Sequence, residues 1–204
     1  MKRNICFLII LLLIPAAVSF AQRTHDIVYE DYFSQGFIIN CEASPDGGKI
    51  AYVESRWEKE KDGRNADIWL LDTKTKEVQR LTFDPGYELN PHWSPDGRWI
   101  YFSGRYKQEG AKNPPHDGSA QVWRIMPDGS RLMAVTRIPD GISDFQLAKD
   151  GSAVYYVVNK DHIIDEWKEL RSEYKDKLQF GHGIQQVSEL WKLDLTTWKA
   201  EKLV

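Results

Sequence analysis

The chain has 204 residues, of which 42% are hydrophobic and 12% aromatic, and its formal net charge is −3. This apolar content is sufficient for a packed core and excludes a disordered chain. The slightly acidic balance argues against a nucleic acid or an anionic membrane surface as a partner.

The first 21 residues have the pattern of a secretory signal peptide. A basic start at residues 2–3 precedes an unbroken apolar run over residues 5–14, and small residues follow. Cleavage is expected between Ala21 and Gln22. A membrane anchor is the alternative, but a run of roughly 10 residues is short of the ~20 needed to span a bilayer. The sequence therefore predicts an exported protein of the periplasm or extracellular space, without membrane contact after cleavage.

Cleavage changes the charge and the cysteine count of the chain. It lowers the basic count from 27 to 25 against 30 acidic residues, so the mature net charge is −5. Cys41 is then the single cysteine, so no intrachain disulfide can form. We interpret it as a small buried apolar residue rather than a reactive thiol.

A turn sequence recurs three times after an N-terminal segment (22–40) that leads into the repeats. Ser-Pro-Asp-Gly occupies residues 44–47 and 94–97, and Ala-Lys-Asp-Gly occupies residues 148–151. Serine first, proline second and glycine fourth suit a type I turn. A β-branched and aromatic run follows each copy and indicates a strand.

A second landmark recurs in step with these turns. Trp69, Trp123 and Trp191 each lie in a strand-like segment, and an aliphatic residue follows each one twelve positions later: Leu81, Val135 and Leu203. Each unit therefore reads as four short strands, and four-stranded units of roughly 40 to 50 residues are typical of propeller blades. A β-sandwich is the alternative, but it needs no matched internal spacing.

The predicted fold class is all-β, a partial β-propeller of about three four-stranded blades. We place blade 1 at 41–83, blade 2 at 84–137 and blade 3 at 138–204, with a helical insert at about 160–180. Alternating strand directions put the Ser-Pro-Asp-Gly turns on one face and the loops between second and third strands on the other. Those loops are expected at 56–66, 105–120 and 159–188, and long loops tend to carry binding roles.

The helical insert rests on apolar residues at three-to-four-residue spacing: Ile163, Ile164, Trp167, Leu170, Tyr174 and Leu178. Two interpretations remain open. The helix either covers the propeller rim or faces a partner or substrate.

The turn-plus-strand pattern resembles the propeller repeats of TolB and of the prolyl oligopeptidase (S9) family of serine peptidases. Four further segments are similar to acylaminoacyl-peptidase-like members: Glu30–Phe33, Trp167–Arg171, Phe180–Gly183 and Leu190–Asp194. The resemblance implies the N-terminal part of a closed propeller of about seven blades. It also implies partners outside this chain, namely further blades and an α/β-hydrolase domain, and a peptide substrate.

In some members of that family, acidic side chains on propeller insertions hold the free amine of a peptide. The resemblance makes Asp165, Glu166 and Glu169 the candidate substrate-binding residues here.

No catalytic residue is expected in this chain. Gly-x-Ser-x-Gly, the nucleophile motif of such hydrolases, is absent, and residues 141–145 approach it without the second glycine. The five histidines show no His-x-x-x-His pair, and there is no Cys-x-x-Cys, phosphate loop or EF-hand pattern. We therefore expect no metal and no cofactor.

The sequence predicts the non-catalytic N-terminal propeller portion of an exported serine peptidase, which gates or anchors peptide substrate. The alternatives are a TolB-like propeller module that binds envelope proteins and a self-contained protein of another role. The last repeat stops at Leu203-Val204, where earlier copies continue with threonine, so we expect the chain to be a fragment of a longer protein.

Overall fold

The computed structural model describes residues 26–174 and 183–204. The predicted signal peptide, its cleavage position and most of the Phe180–Gly183 segment lie outside the described residues. Within the described part, no helix is long and apolar enough to cross a membrane.

The described chain forms three four-stranded antiparallel sheets, each with its strands in chain order. Blade 1 follows helix α1 (Tyr29–Phe33) and contains β1 (Phe37–Ala43), β2 (Lys49–Glu58), β3 (Gly63–Asp72) and β4 (Val78–Arg80). Blade 2 contains β5 (Glu88–Trp93), β6 (Ile100–Gly104), β7 (Gln121–Ile125) and β8 (Met133–Ala134). Blade 3 contains β9 (Asp144–Leu147), β10 (Ala153–Ile163), helix α2 (Asp165–Glu173), β11 (Ile184–Asp194) and β12 (Ala200–Lys202). The predicted fold class is confirmed.

The first sheet and the helix differ in their limits from the sequence-based divisions. β1 begins at Phe37, inside the segment that was expected to precede the blade. β10 continues to Ile163, so the helical part of the predicted 160–180 insert covers Asp165–Glu173.

The recurrent turns connect the first and second strands of each blade. Gly47 N donates to Ser44 O at 2.8 Å and Gly97 N to Ser94 O at 2.9 Å, while the glycines have φ of +69° and +68°. The turns also contact one another in a row: a Cβ on Gly97 would lie 3.9 Å from Pro45 Cδ, and one on Gly151 2.9 Å from Pro95 Cδ. The positive φ favours glycine at each turn, and at Gly151 a Cβ would in addition clash with Pro95 of the preceding turn.

The hydrophobic core lies in two layers, one on each side of blade 2. Alternation along β6 sends Ile100 and Phe102 towards blade 1 and Tyr101 towards blade 3. In β7, Trp123 faces blade 1 and Val122 faces blade 3. We call these two layers, with the connections that border them, the first and the second junction.

Much of β1 is exposed to solvent in the part of the chain that the structure describes. Phe37, Ile38 and Ile39 are all exposed, and so is Cys41. The interpretation of Cys41 as a buried residue is therefore wrong, because burial in a blade depends on a sheet lying against the face that bears the residue.

Strand pairing extends into the ends of two of the three predicted long loops. Pairing of β2 with β3 continues to Glu58 opposite Gly63, and pairing of β10 with β11 continues to Ile163 opposite Ile184. These blades therefore extend long hairpins from one face. The middle segment, 105–120, is irregular as expected and holds one isolated bridge, between Lys107 and Asp117.

Candidate functional site

The three predicted substrate-binding residues lie on α2, at the tip of the blade 3 hairpin. Asp165, Glu166 and Glu169 are exposed, and Asp165 forms an ion pair with Lys168. The hydrogen bond from Lys168 lowers the pKa of the Asp165 carboxyl. The structure places the three carboxylates on one short helix and leaves them open to solvent.

A cleft of about 460 Å³ opens at the first junction, on the same blade face as the hairpins. The aromatic rings of Tyr106, His116 and Trp123 form one wall, with ring centroids 4.3 Å apart for Tyr106–Trp123 and 5.5 Å apart for His116–Trp123. Asp84 and Arg137, one from each blade connection, contribute charged groups.

Behind this cleft lies a buried polar cluster that ties the two blades together. Ile68 N donates to Thr82 Oγ1 at 2.9 Å, and that hydroxyl donates to Glu88 Oε2, also at 2.9 Å. Asn65 Nδ2 donates to the carbonyl oxygen of Asp84 at 3.0 Å. Thr82, Asn65 and Glu88 are 3%, 1% and 0% exposed, so the cluster is part of the core.

Glu88 is the most strongly perturbed acid of this cluster. Burial raises the pKa of its carboxyl to about 8, against an ordinary value of 4.5, and the nearby Asp67 and Asp84 add to the rise. The hydrogen bond from Thr82 acts in the opposite direction. At neutral pH, Glu88 is therefore mainly a neutral acid.

Asp67 is the second buried acid, and it has a cationic partner. Arg80 Nη2 lies 2.8 Å from Asp67 Oδ1, yet burial outweighs this ion pair and the pKa of Asp67 is raised. Burial and the neighbouring Glu88 likewise raise the pKa of the Tyr106 hydroxyl. The site thus contains acids that hold protons more tightly than in water.

Residues 26–174 and 183–204 contain no group of three or more His, Cys, Asp or Glu side chains placed to hold a metal ion. Ser143, from the segment nearest the nucleophile motif, has its N 2.8 Å from Val157 O, at the start of blade 3. The first junction combines an open cleft with two buried acids whose pKa values are raised.

Sequence reasoning did not single out Asp67 and Glu88. The repeat alignment nevertheless carried a signal, because Asp67 is two residues before Trp69, where Gln121 precedes Trp123. Acidic residues beside strand landmarks of a repeat are expected at the surface, so nothing local indicated that both face a neighbouring blade.

Comparison with known proteins identifies two kinds of relative. No protein-family model matches the chain. The chain is 32% identical over 122 residues to the uncharacterized peptidase YuxL of Bacillus subtilis, covering 60% of this chain and 17% of the relative. It is 29% identical over 112 residues to the Tol-Pal system protein TolB of Nitratidesulfovibrio vulgaris, covering 54% of this chain and 25% of the relative. The chain thus spans a quarter or less of the length of these relatives.

Solved structures show the same fold. The acylaminoacyl peptidase of Pyrococcus horikoshii superposes with a TM-score of 0.59 at 14% identity, over 84% of this chain and 25% of that one. The β-propeller domain of the Trilobed protease from Pyrococcus furiosus gives 0.51 at 14% identity, over 82% and 42%. The chain is therefore similar in sequence to S9 peptidases and to TolB, and its architecture is that of a β-propeller.

Proposed function

We propose that this chain is the non-catalytic N-terminal propeller portion of an exported serine peptidase, in which it gates or anchors peptide substrate. The observation that carries the proposal is the 32% identity to a peptidase of which the chain covers 17%. Peptide hydrolysis then belongs to a hydrolase domain outside this chain. The three units 41–83, 84–137 and 138–204 serve as consecutive blades of that propeller.

The hairpins and α2 support a role in substrate access. They project from the face that also bears the first-junction cleft, and functional residues concentrate on such projections from rigid sheets. The exposed carboxylates of Asp165, Glu166 and Glu169 are available to a peptide amine from solvent. The predicted signal peptide supports a location in the periplasm or outside the cell.

The parent gene tests the proposal directly. Reading the frame beyond the codon of Val204 should reveal further Ser-Pro-Asp-Gly units and then a Gly-x-Ser-x-Gly hydrolase. The full-length protein should label with a fluorophosphonate probe, and the isolated 204-residue chain should not. Further blades without a hydrolase would favour the TolB-like alternative, for which the similarity to TolB is the supporting observation.

The role of the α2 acids needs a separate measurement in the full-length peptidase. Asp165→Asn, Glu166→Gln and Glu169→Gln should raise KM for peptides with a free amine and leave KM for N-acetylated peptides unchanged. Glu173→Gln, on the same helix, is the matched control. Equal effects on both peptide classes would exclude amine recognition by these residues.

A further inference from the structure

The first junction buries polar atoms that have no hydrogen-bond partner. Glu88 Oε1, Asn65 Oδ1 and Tyr106 Oη are all inaccessible to solvent and unpaired within the described residues. The Tyr106 hydroxyl lies beside the Glu88 carboxyl, but the pair does not form a hydrogen bond of good geometry. Buried polar atoms are normally paired, and a partly satisfied network is costly in a low-dielectric core.

The charges around Glu88 are predominantly acidic. Asp67 faces it from β3 and Asp84 from the blade connection, while the neutral Tyr106 faces it from the loop after β6. Further out, Arg80, Glu58 and Lys61 surround Asp67. Arg80 is held by Asp67 at 2.8 Å and by Glu58 at 3.8 Å, and no described residue forms an ion pair with Glu88.

This arrangement suits a neutral carboxyl and opposes a charged one. A neutral Glu88 can donate its proton to one of the unpaired oxygens while its other oxygen accepts from Thr82. An ionised Glu88 would place an unpaired charge in the core, next to two further acids and without a cation of its own. The free-energy cost of ionising Glu88 falls if the two blades separate enough to admit water.

We infer that the first junction is a proton-operated latch, in which neutral Glu88 keeps blades 1 and 2 closed and ionised Glu88 lets the seam between them open. The cleft lined by Tyr106, His116 and Trp123 lies along this seam, so opening widens it. In the second junction Gln121 cannot ionise, and that seam stays closed over the same pH range.

The pH window follows from the two protonation states. The pKa of Glu88 is about 8 in the closed seam and returns towards 4.5 when water enters. Between these values the open form loses a proton that the closed form keeps, so opening rises up to about tenfold per pH unit. Below about pH 4.5 and above about pH 8, the contribution of Glu88 to opening becomes independent of pH.

Hydrogen exchange measured by mass spectrometry on the 204-residue chain tests this inference. Exchange is followed from pH 5 to 9 and corrected for the intrinsic pH dependence of amide exchange. Peptides from β3, β5 and β6 should show an additional rise of up to about tenfold per pH unit that levels off near pH 8. Peptides from β9 and β10, at the second junction, should show none.

The Glu88→Gln variant should abolish the additional rise, because an amide accepts from Thr82 and never ionises. Glu77→Gln, at an exposed acid immediately before β4, should leave it unchanged. An additional rise that persists in Glu88→Gln, or that is equal at both junctions, would overturn the latch. If Glu88→Gln does not fold, ¹³C NMR of the Glu88 carboxyl decides: titration near pH 4.5 in the folded chain contradicts the inference, and titration near pH 8 supports it.

Discussion

The two junctions share a hydrogen bond from a strand N–H to a threonine, but they differ in the side chain that accepts the threonine hydroxyl. Thr82 and Thr136 each accept a hydrogen bond of 2.9 Å from a β-strand N–H, that of Ile68 and that of Val122. Thr82 then donates to Glu88, whereas Thr136 donates to Gln121 Oε1 at 2.8 Å. The threonine therefore fixes the closing strand in both blades, while the group that receives its proton is free to vary.

The acceptor of the threonine hydroxyl is fully paired only in the second junction, whereas Glu88 Oε1 in the first junction has no partner among the described residues. Gln121 also accepts from Ile138 N at 2.9 Å and donates to Ile138 O at 2.8 Å and to Ser119 Oγ at 2.9 Å. Six residues after its threonine, the first junction has Glu88 and the second has the buried Ile142. The threonine contacts are thus common to both junctions, and the side chain that accepts the threonine hydroxyl differs in whether it can ionise.

The largest effects should come from the apolar layers, where the junctions are expected to be alike. Phe102 and Phe145 are 0% and 2% exposed. Replacing either with alanine should lower the free energy of unfolding by about 3–5 kcal/mol, because a large cavity is left in the core. Urea denaturation measures this, with the exposed Phe83→Ala as control. A loss below about 1 kcal/mol at one site would show that its layer is loosely packed.

The side chains of Gln121 and Ile142 in the second junction can be introduced at the corresponding positions of the first junction. The double variant Asp67→Gln/Glu88→Ile should stabilise the chain by about 1–4 kcal/mol at pH 8, because buried charges are replaced by a satisfied amide and a methyl-rich side chain. The gain should shrink towards pH 4.5: the raised pKa of Glu88 makes the wild type lose stability as pH rises from about 4.5 to about 8. Denaturation at several pH values measures both effects. A gain that does not vary with pH would contradict the account.

The glycines of the two connections offer a steric comparison. A Cβ on Gly86 would overlap the carbonyl oxygen of Arg105, while one on Gly141 would lie 3.1 Å from Ala120 N and O. Gly86→Ala should therefore cost about 1–3 kcal/mol. Gly141→Ala should cost about 1–2 kcal/mol, mainly because its φ of +72° disfavours a side chain. Thermal denaturation should show a larger loss of stability for Gly86→Ala than for Gly141→Ala. A smaller loss for Gly86→Ala would show that the first connection can shift to admit the methyl group.

The smallest effect concerns a cation held between aromatic rings at the second junction. The Arg124 guanidinium lies 4.2 Å from the ring centroid of Trp99 in blade 2 and 5.6 Å from that of Trp198 in blade 3. Arg124→Gln should cost about 0.5–1 kcal/mol, and Arg124→Lys less, because lysine keeps the charge. Calorimetry at low and high salt measures the loss of stability in each variant. A loss that persists at high salt comes from the contact with the rings and not from long-range charge interactions. Equal losses for both variants would exclude a charge-dependent contact.

Local patterns predicted the parts of the fold that are themselves local. The turns at 44–47 and 94–97 and the tryptophan strands are set by residues within a few positions of each other, so the sequence was sufficient. The extra strand pairing at the ends of the loops expected at 56–66 and 159–188 was not predicted, because charged residues at a hairpin tip do not reveal whether the strands continue to pair.

The candidate site was not predictable for a different reason. Asp67 and Glu88 are ordinary acids in their own segments and become unusual only when two blades meet. The exposed acids of α2 were chosen by resemblance, and their role remains a prediction. Burial of a charged group depends on which repeat packs on which, and this information is not contained within one repeat.

The row of turns has a consequence for how such a chain changes during evolution. Gly97 and Gly151 each lie against the proline of the turn one repeat earlier, and at Gly151 a Cβ would clash with it, so the two sides of each contact lie about 50 residues apart. Duplicating a whole repeat copies both halves together, and the new turn fits its neighbours at once. A substitution in a single glycine instead affects two repeats. The turn-to-turn contacts therefore constrain neighbouring repeats as pairs, whereas a change in the number of whole repeats preserves them.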